Sequence, residues 1–163
     1  MPGRVLTKEL VDFVQSGISV NLAAVSRQGR PLVGIGLACT VDHDGGMRIL
    51  LRAPANAELL EAIKASSAVA VTFARPADHR SIQFKAAHAT IHPIVPADTI
   101  AASKQGAGMR SELVAVDHSD DFASSYVDFH PDELVAVHLV PQQAFVQTPG
   151  VGAGTELPGE KRG

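Results

Sequence analysis

Ala68-Val69-Ala70-Val71-Thr72-Phe73-Ala74-Arg75-Pro76-Ala77-Asp78-His79-Arg80-Ser81-Ile82-Gln83-Phe84-Lys85 is the stretch that decides the fold. Val69, Val71 and Phe73 alternate with Ala68, Ala70, Thr72 and Ala74, the period of a strand with one apolar face and one face of small residues. Arg75-Pro76-Ala77-Asp78 is a turn, and a second alternation follows, with Ile82, Phe84 and Ala86 opposite Ser81, Gln83 and Lys85. Strands joined by so short a turn run antiparallel. The centre of the chain is therefore an antiparallel pair with one wall for a core and one wall of small and polar side chains.

Outward from this pair, the strand expectation extends to 18–26, 32–41 and 47–52, joined by the turns Gln28-Gly29-Arg30-Pro31 and Asp42-His43-Asp44-Gly45-Gly46. In 32–41, Val33, Ile35, Leu37, Cys39 and Val41 alternate with Gly34, Gly36, Ala38 and Thr40, so something approaches the backbone on the small side: a ligand, a partner subunit or a packed helix. A long fifth strand covers 80–94, and a last one, interrupted at Pro141, covers 133–148. Helices are expected over 8–15, capped by Thr7, and after Pro54, with Leu59, Leu60 and Ile63 on the buried side. Short helices at 97–104 and 109–116 flank Gly106 and Gly108, and 117–132 reads as loop. The fold expected is α+β, mainly β: an antiparallel six-stranded split barrel with flanking helices over 1–148, followed by a Gly- and charge-rich flexible tail over 149–163.

Composition limits the function. The 163 residues are 45% hydrophobic and 19% charged, enough for one core in one domain. Mean hydropathy is +0.12, no apolar run reaches membrane-spanning length, and Met1–Lys8 carries no apolar signal core; a cytoplasmic protein is expected. The net charge of −3 and an aromatic content of 4% argue against a nucleic-acid surface. The charge is uneven: 10 Lys+Arg against 7 Asp+Glu up to residue 92, then 4 against 10. The basic half could serve a small anionic ligand. Cys39, the one cysteine, cannot form an internal disulfide and sits on an apolar strand face, as a buried inert thiol would.

Several motifs fail on context. Gly34-Ile35-Gly36 lies inside a strand with no helix after it, so it is not a dinucleotide fingerprint. His88 and His92 share a strand face but stand roughly 13 Å apart on an extended chain, too far for one ion. No metal is expected. Arg48, Leu50 and Arg52 share the face of the third strand, and Arg52 stands just before Pro54 and Asn56. That pairing suits a phosphate, and equally suits an exposed strand-end arginine. Ser81, Gln83 and Lys85 could line a cleft for a polar heteroaromatic ring, and the same spacing fits a solvent-facing strand.

The 68–76 and 78–85 runs, with the element order and the closing Gln147-Thr148-Pro149-Gly150, resemble the pyridoxamine 5′-phosphate oxidase-like family of split barrels over about residues 5–155. The resemblance implies a homodimer with FMN between the subunits and an FMN-dependent oxidoreductase of unknown substrate. Gln83 then approaches the flavin, Lys85 is the basic residue two places on, and Ser81 lies two places before Gln83 on the same face. The stretch 52–57 matches the phosphate site. The oxidases have a Ser-Arg-Lys run there; this chain reads Ala55-Asn56-Ala57, which leaves the phosphate to Arg48, Arg52, Asn56 and Lys85. The oxidases' C-terminal substrate-binding arginine motif has no counterpart, since the tail offers only Lys161-Arg162, so pyridoxamine phosphate oxidation is not expected. No catalytic side chain is assigned. The alternatives are a deazaflavin in the same cleft, or a non-enzymatic binder of flavin, haem or another small molecule on the same fold.

Overall fold

The computed structural model describes residues 5–65 and 67–159. α1 (Lys8–Val14) starts at Thr7, whose hydroxyl accepts the Leu10 N–H, and leads into β1 (Ser19–Val25), β2 (Pro31–Val41) and β3 (Met47–Arg52). A 3-10 turn at Pro54–Asn56 opens α2 (Ala57–Lys64). The rest of the chain forms β4 (Val69–Ala74), β5 (Ser81–Ala86), β6 (Thr90–Pro93), α3 (Pro96–Ala115), α4 (Asp120–Val127), β7 (Leu134–Leu139) and β8 (Gln143–Val146).

The strands form one antiparallel sheet in the order β6-β7-β3-β2-β1-β4-β5-β8, with eight strands rather than the six expected. The two added strands come from breaks in the two longest ones. An unbroken strand over 80–94 would be about 50 Å long, too long for one wall of a small barrel. It bends at 87–89, so β5 pairs with β4 and β8 while β6 pairs with β7 at the other end of the sheet. Pro141 likewise divides the last strand: β7 pairs with β3 and β6, and β8 with β5. Two short covalent links thus join opposite ends of the sheet, which curls into a split barrel whose hydrogen-bonded ladder stays open between β6 and β8.

The enclosed core is built from Leu22, Ile49, Leu51, Val71, Phe73 and Phe84, with the two phenylalanine rings edge to face at 5.9 Å. Leu10, Phe13 and Val14 of α1 and Leu59, Leu60 and Ile63 of α2 join it. The small face of β2 points inward at Gly34 and Gly36. A Cβ on Gly34 would stand 2.0 Å from Asn56 Oδ1, and one on Gly36 would stand 3.0 Å from Val20. Of the three expected occupants of that face, a packed helical segment is the one found at Gly34, and side chains of the neighbouring strands fill the space at Gly36.

α3 is one helix of 20 residues where two short ones were expected, and α4 occupies part of the expected loop. The helix runs through Gly106 and Gly108 because both are contact points. A Cβ on Gly108 would stand 3.2–3.4 Å from the Ser16–Gly17 backbone, and Gly106 faces Val127 of α4. α3 lies on the outer side of β2, β3 and β7, over Leu37, Ala38, Leu50, Leu134 and Ala136. Its Gln105 is buried and pairs with backbone: Cys39 N–H donates to Gln105 Oε1 (2.9 Å), and Gln105 Nε2 donates to Cys39 O (2.7 Å). β1 has already ended at this point of β2, so a helix side chain completes the ladder. Residues 150–157 turn back along β8: Val146 N–H donates to Thr155 O, Leu157 N–H donates to Ala144 O, and Leu157 packs on the core. Lys161 and Arg162 lie outside the described residues.

Replacing Gln105 with alanine leaves two buried backbone groups unpaired and is expected to destabilise the fold by about 3 kcal/mol, read as a lower urea midpoint at unchanged slope. Gln15→Ala, which removes the single contact to the Val41 N–H, is expected to cost about 1 kcal/mol.

Candidate functional site

Among the described residues, no helix covers the outward side of β1, β4, β5, β8 and the first half of β2. Register aligns its side chains in rows. Ile35, Asn21, Thr72, Gln83 and Phe145 form one row across five strands, and Val33, Ala23, Ala70, Lys85 and Gln143 form the next. Ser19, Ala74 and Ser81 make a third. Alanines and short polar residues leave the platform flat. Val33 and Ile35 are 69% and 44% exposed, large apolar side chains at the rim of a face that solvent alone would not favour. A groove of ≈ 450 Å³ runs along the second row, between Ala23, Val25, Val33, Ala70 and Lys85.

Ser81, Gln83 and Lys85 therefore stand together on this face. Gln83 Nε2 donates to Thr72 Oγ1 (3.3 Å), which fixes the amide against the neighbouring strand. Lys85 Nζ sits 4.7 Å from the Phe145 ring centroid. The turn leading into β5 is firmly held. Arg75 donates to both carboxylate oxygens of Asp78 (3.0 and 2.7 Å), and Arg80 N–H donates to Asp78 Oδ1. The Arg75 guanidinium, with the Arg80 amide, holds the Asp78 carboxyl at about 2. Arg80 stacks on Phe13 and pairs with Glu9, tying the turn to α1.

The structure puts Arg48, Arg52 and Asn56 elsewhere. Arg48 lies under the start of α3, where Nη2 and Nε donate to the buried Asp98 carboxylate (2.5 and 3.2 Å). Asp98 in turn accepts the Val95 N–H at the head of α3. Arg52 closes the C-terminal end of α4, donating to Tyr126 O (3.0 Å) and to Asp128 O. Asn56 is buried, with Nδ2 donating to Arg52 O (2.7 Å) and Oδ1 against Gly34. The stretch expected to hold a phosphate borders a shallow groove of ≈ 250 Å³ between Leu32, Val33, Pro54, Asn56 and Glu58, and among the described residues no lysine or arginine lines it. The platform fits a flat ring; this groove does not fit the phosphate of FMN.

Asn21, Thr72, Val33, Ile35 and Phe145 belong to the same face and were not singled out in the sequence. Only the pairing register reveals them. Among the described residues, no group of three or more His, Cys, Asp or Glu could hold a metal ion. Cys39 is fully enclosed, and burial pushes its thiol far above the usual range. No described helix is long and apolar enough to cross a membrane.

No protein-family model matches the chain, and no curated protein matches its sequence. Solved structures do match its shape. A candidate pyridoxamine 5′-phosphate oxidase from Lactobacillus delbrueckii is 22% identical with a TM-score of 0.55, over 89% of this chain and 99% of that one. An F420 reductase is 14% identical with a TM-score of 0.52, over 85% and 98%. HutZ, the haem storage protein of Vibrio cholerae, is 17% identical with a TM-score of 0.50, over 90% and 95%. The chain has the split-barrel fold of the pyridoxamine 5′-phosphate oxidase-like proteins. At these identities the likeness carries the fold and leaves function to the site.

Two outcomes follow from these placements. Arg48→Met strands the Asp98 carboxylate and is expected to destabilise the protein by about 3 kcal/mol; adding Asp98→Asn should recover part of that in the same thermal melts. A thiol reagent is expected to label Cys39 only after denaturation, which a timed absorbance assay with and without urea reads directly.

Proposed function

We propose that the protein is a homodimer that binds a flat conjugated redox cofactor on the open face of β2-β1-β4-β5-β8, and that it serves as a cytoplasmic oxidoreductase of unknown substrate. The observation that carries the reading is the face itself. It offers a level platform of small residues, an amide (Gln83) and an ammonium (Lys85) at hydrogen-bonding height, and exposed Val33 and Ile35 at the rim. Covering each of those two side chains is worth roughly 1.5–3 kcal/mol if complete, which favours a second copy of the chain over bare solvent. Flavin is the cofactor that the sequence resemblance implies, and the similar F420 reductase supports a flavin-like ring in such a fold. A bound flavin would supply the redox chemistry, while this chain supplies binding and orientation.

A second reading has its own support: storage or transfer of a flavin or haem without catalysis. It rests on the internal engagement of Arg48 and Arg52, and on the likeness to a haem storage protein. The two readings share the platform and differ in what it holds.

The test is reconstitution followed by spectroscopy and sedimentation. Gln83→Ala with Lys85→Ala is expected to weaken cofactor binding at least tenfold without changing the melting temperature by more than a few degrees. Val33→Asp with Ile35→Asp is expected to shift the protein from dimer to monomer and to abolish binding. A wild-type protein that is monomeric and takes up neither flavin nor haem would overturn the reading.

A further inference from the structure

We infer that the ring-binding face recognises its ligand by the ring alone, and that the chain takes phosphate-free conjugated ligands as well as phosphorylated ones. This rests on the reading above and narrows its ligand class. The inference comes from where the positive charges of the chain are spent.

The groove at 52–57 is the place where the resemblance puts a phosphate. Its lining is apolar and amide, with one carboxylate, Glu58, and no cation. Glu58 takes two hydrogen bonds from Arg30 Nη2, at 2.8 Å each, so that guanidinium is already matched by an acid. Pro54 has no N–H to offer, and the Asn56 N–H donates to Ala53 O (3.1 Å). The Asn56 amide nitrogen donates to Arg52 O. The two arginines of β3 turn the other way: Arg48 holds Asp98 at the head of α3, and Arg52 holds the last carbonyls of α4. Withdrawing either one to meet a phosphate would strand a buried carboxylate or uncap a helix.

Lys85 is different. It is exposed on the platform, and its ammonium meets an aromatic ring rather than an acid or a carbonyl among the described residues. Among the described residues, Lys85 puts a cation on the platform, two positions from Gln83, and no lysine or arginine lines the 52–57 groove itself. A phosphomonoester ordinarily gains about tenfold or more in affinity from each charge-assisted contact. Here it gains none from the chain that carries the groove.

The experiment compares riboflavin with FMN on the full-length protein, by fluorescence quenching at fixed ionic strength, for wild type and Lys85→Gln. The two flavins share the isoalloxazine and differ by the phosphate. The expected result is dissociation constants within threefold of each other, both weakened by a similar factor in Lys85→Gln. FMN binding at least tenfold tighter than riboflavin would overturn the inference and leave the proposed function standing, since some other cation would then hold the phosphate. Lys85→Gln weakening FMN alone would overturn it as well, by placing the ammonium on the phosphate. Failure of both flavins to bind would overturn the inference together with the flavin reading beneath it.

Discussion

One extra residue in β2 decides which way the sheet faces. Gly36 pairs with Leu51 and Ala38 with Leu50, so Leu37 is bulged out of the ladder. Before the bulge Gly34 and Gly36 point into the barrel, and Val33 and Ile35 point out. After it Cys39 is in the core, and Ala38 lies outside under α3. A slip of one residue exchanges the two faces of a strand, and the chain uses that exchange once. The first half of β2 builds the platform, and the second half builds the bed for a helix.

That bed explains the length of α3. A helix carrying two glycines would be weak in isolation, because each glycine costs about 1 kcal/mol against alanine. Here Gly106 makes room for Val127 of α4, and Gly108 allows the helix to approach the Ser16–Gly17 backbone, where Gln105 reaches Cys39. Gly17 itself has φ +80°, and a Cβ there would meet Gln105 O at 2.7 Å. Close approach, buried hydrogen bonds and the covering of Leu37, Leu50 and Ala136 together offset the local propensity.

The same architecture redistributes the charges. Arg48 and Arg52 point to the side that α3 and α4 cover, and each stabilises the end of one of those helices. Ser81, Gln83 and Lys85 are on the side left uncovered. Residues that form one candidate site in the sequence thus divide into a structural set and an available set. The divide is where α3 stops.

The sequence by itself determined the strands, their antiparallel connections and the apolar wall of Val69, Val71, Phe73, Ile82 and Phe84, because a period of two residues is a local property. It also determined that Ser81, Gln83 and Lys85 share a face, for the same reason. Tertiary structure alone decided that 80–94 breaks into two strands and that the pieces on either side of Pro141 pair at opposite ends of the sheet, since the length of a barrel wall is a property of the whole sheet. It decided that Gly106 and Gly108 continue a helix, because their contacts are with residues 16, 17 and 127. It placed Asn21, Thr72 and Phe145 beside Gln83 through register between strands far apart in the chain. It also committed Arg48 to the buried Asp98 and Arg52 to the last carbonyls of α4, partners 50 or more residues away. Periodicity shows which way a side chain points, but what it meets there depends on long-range packing.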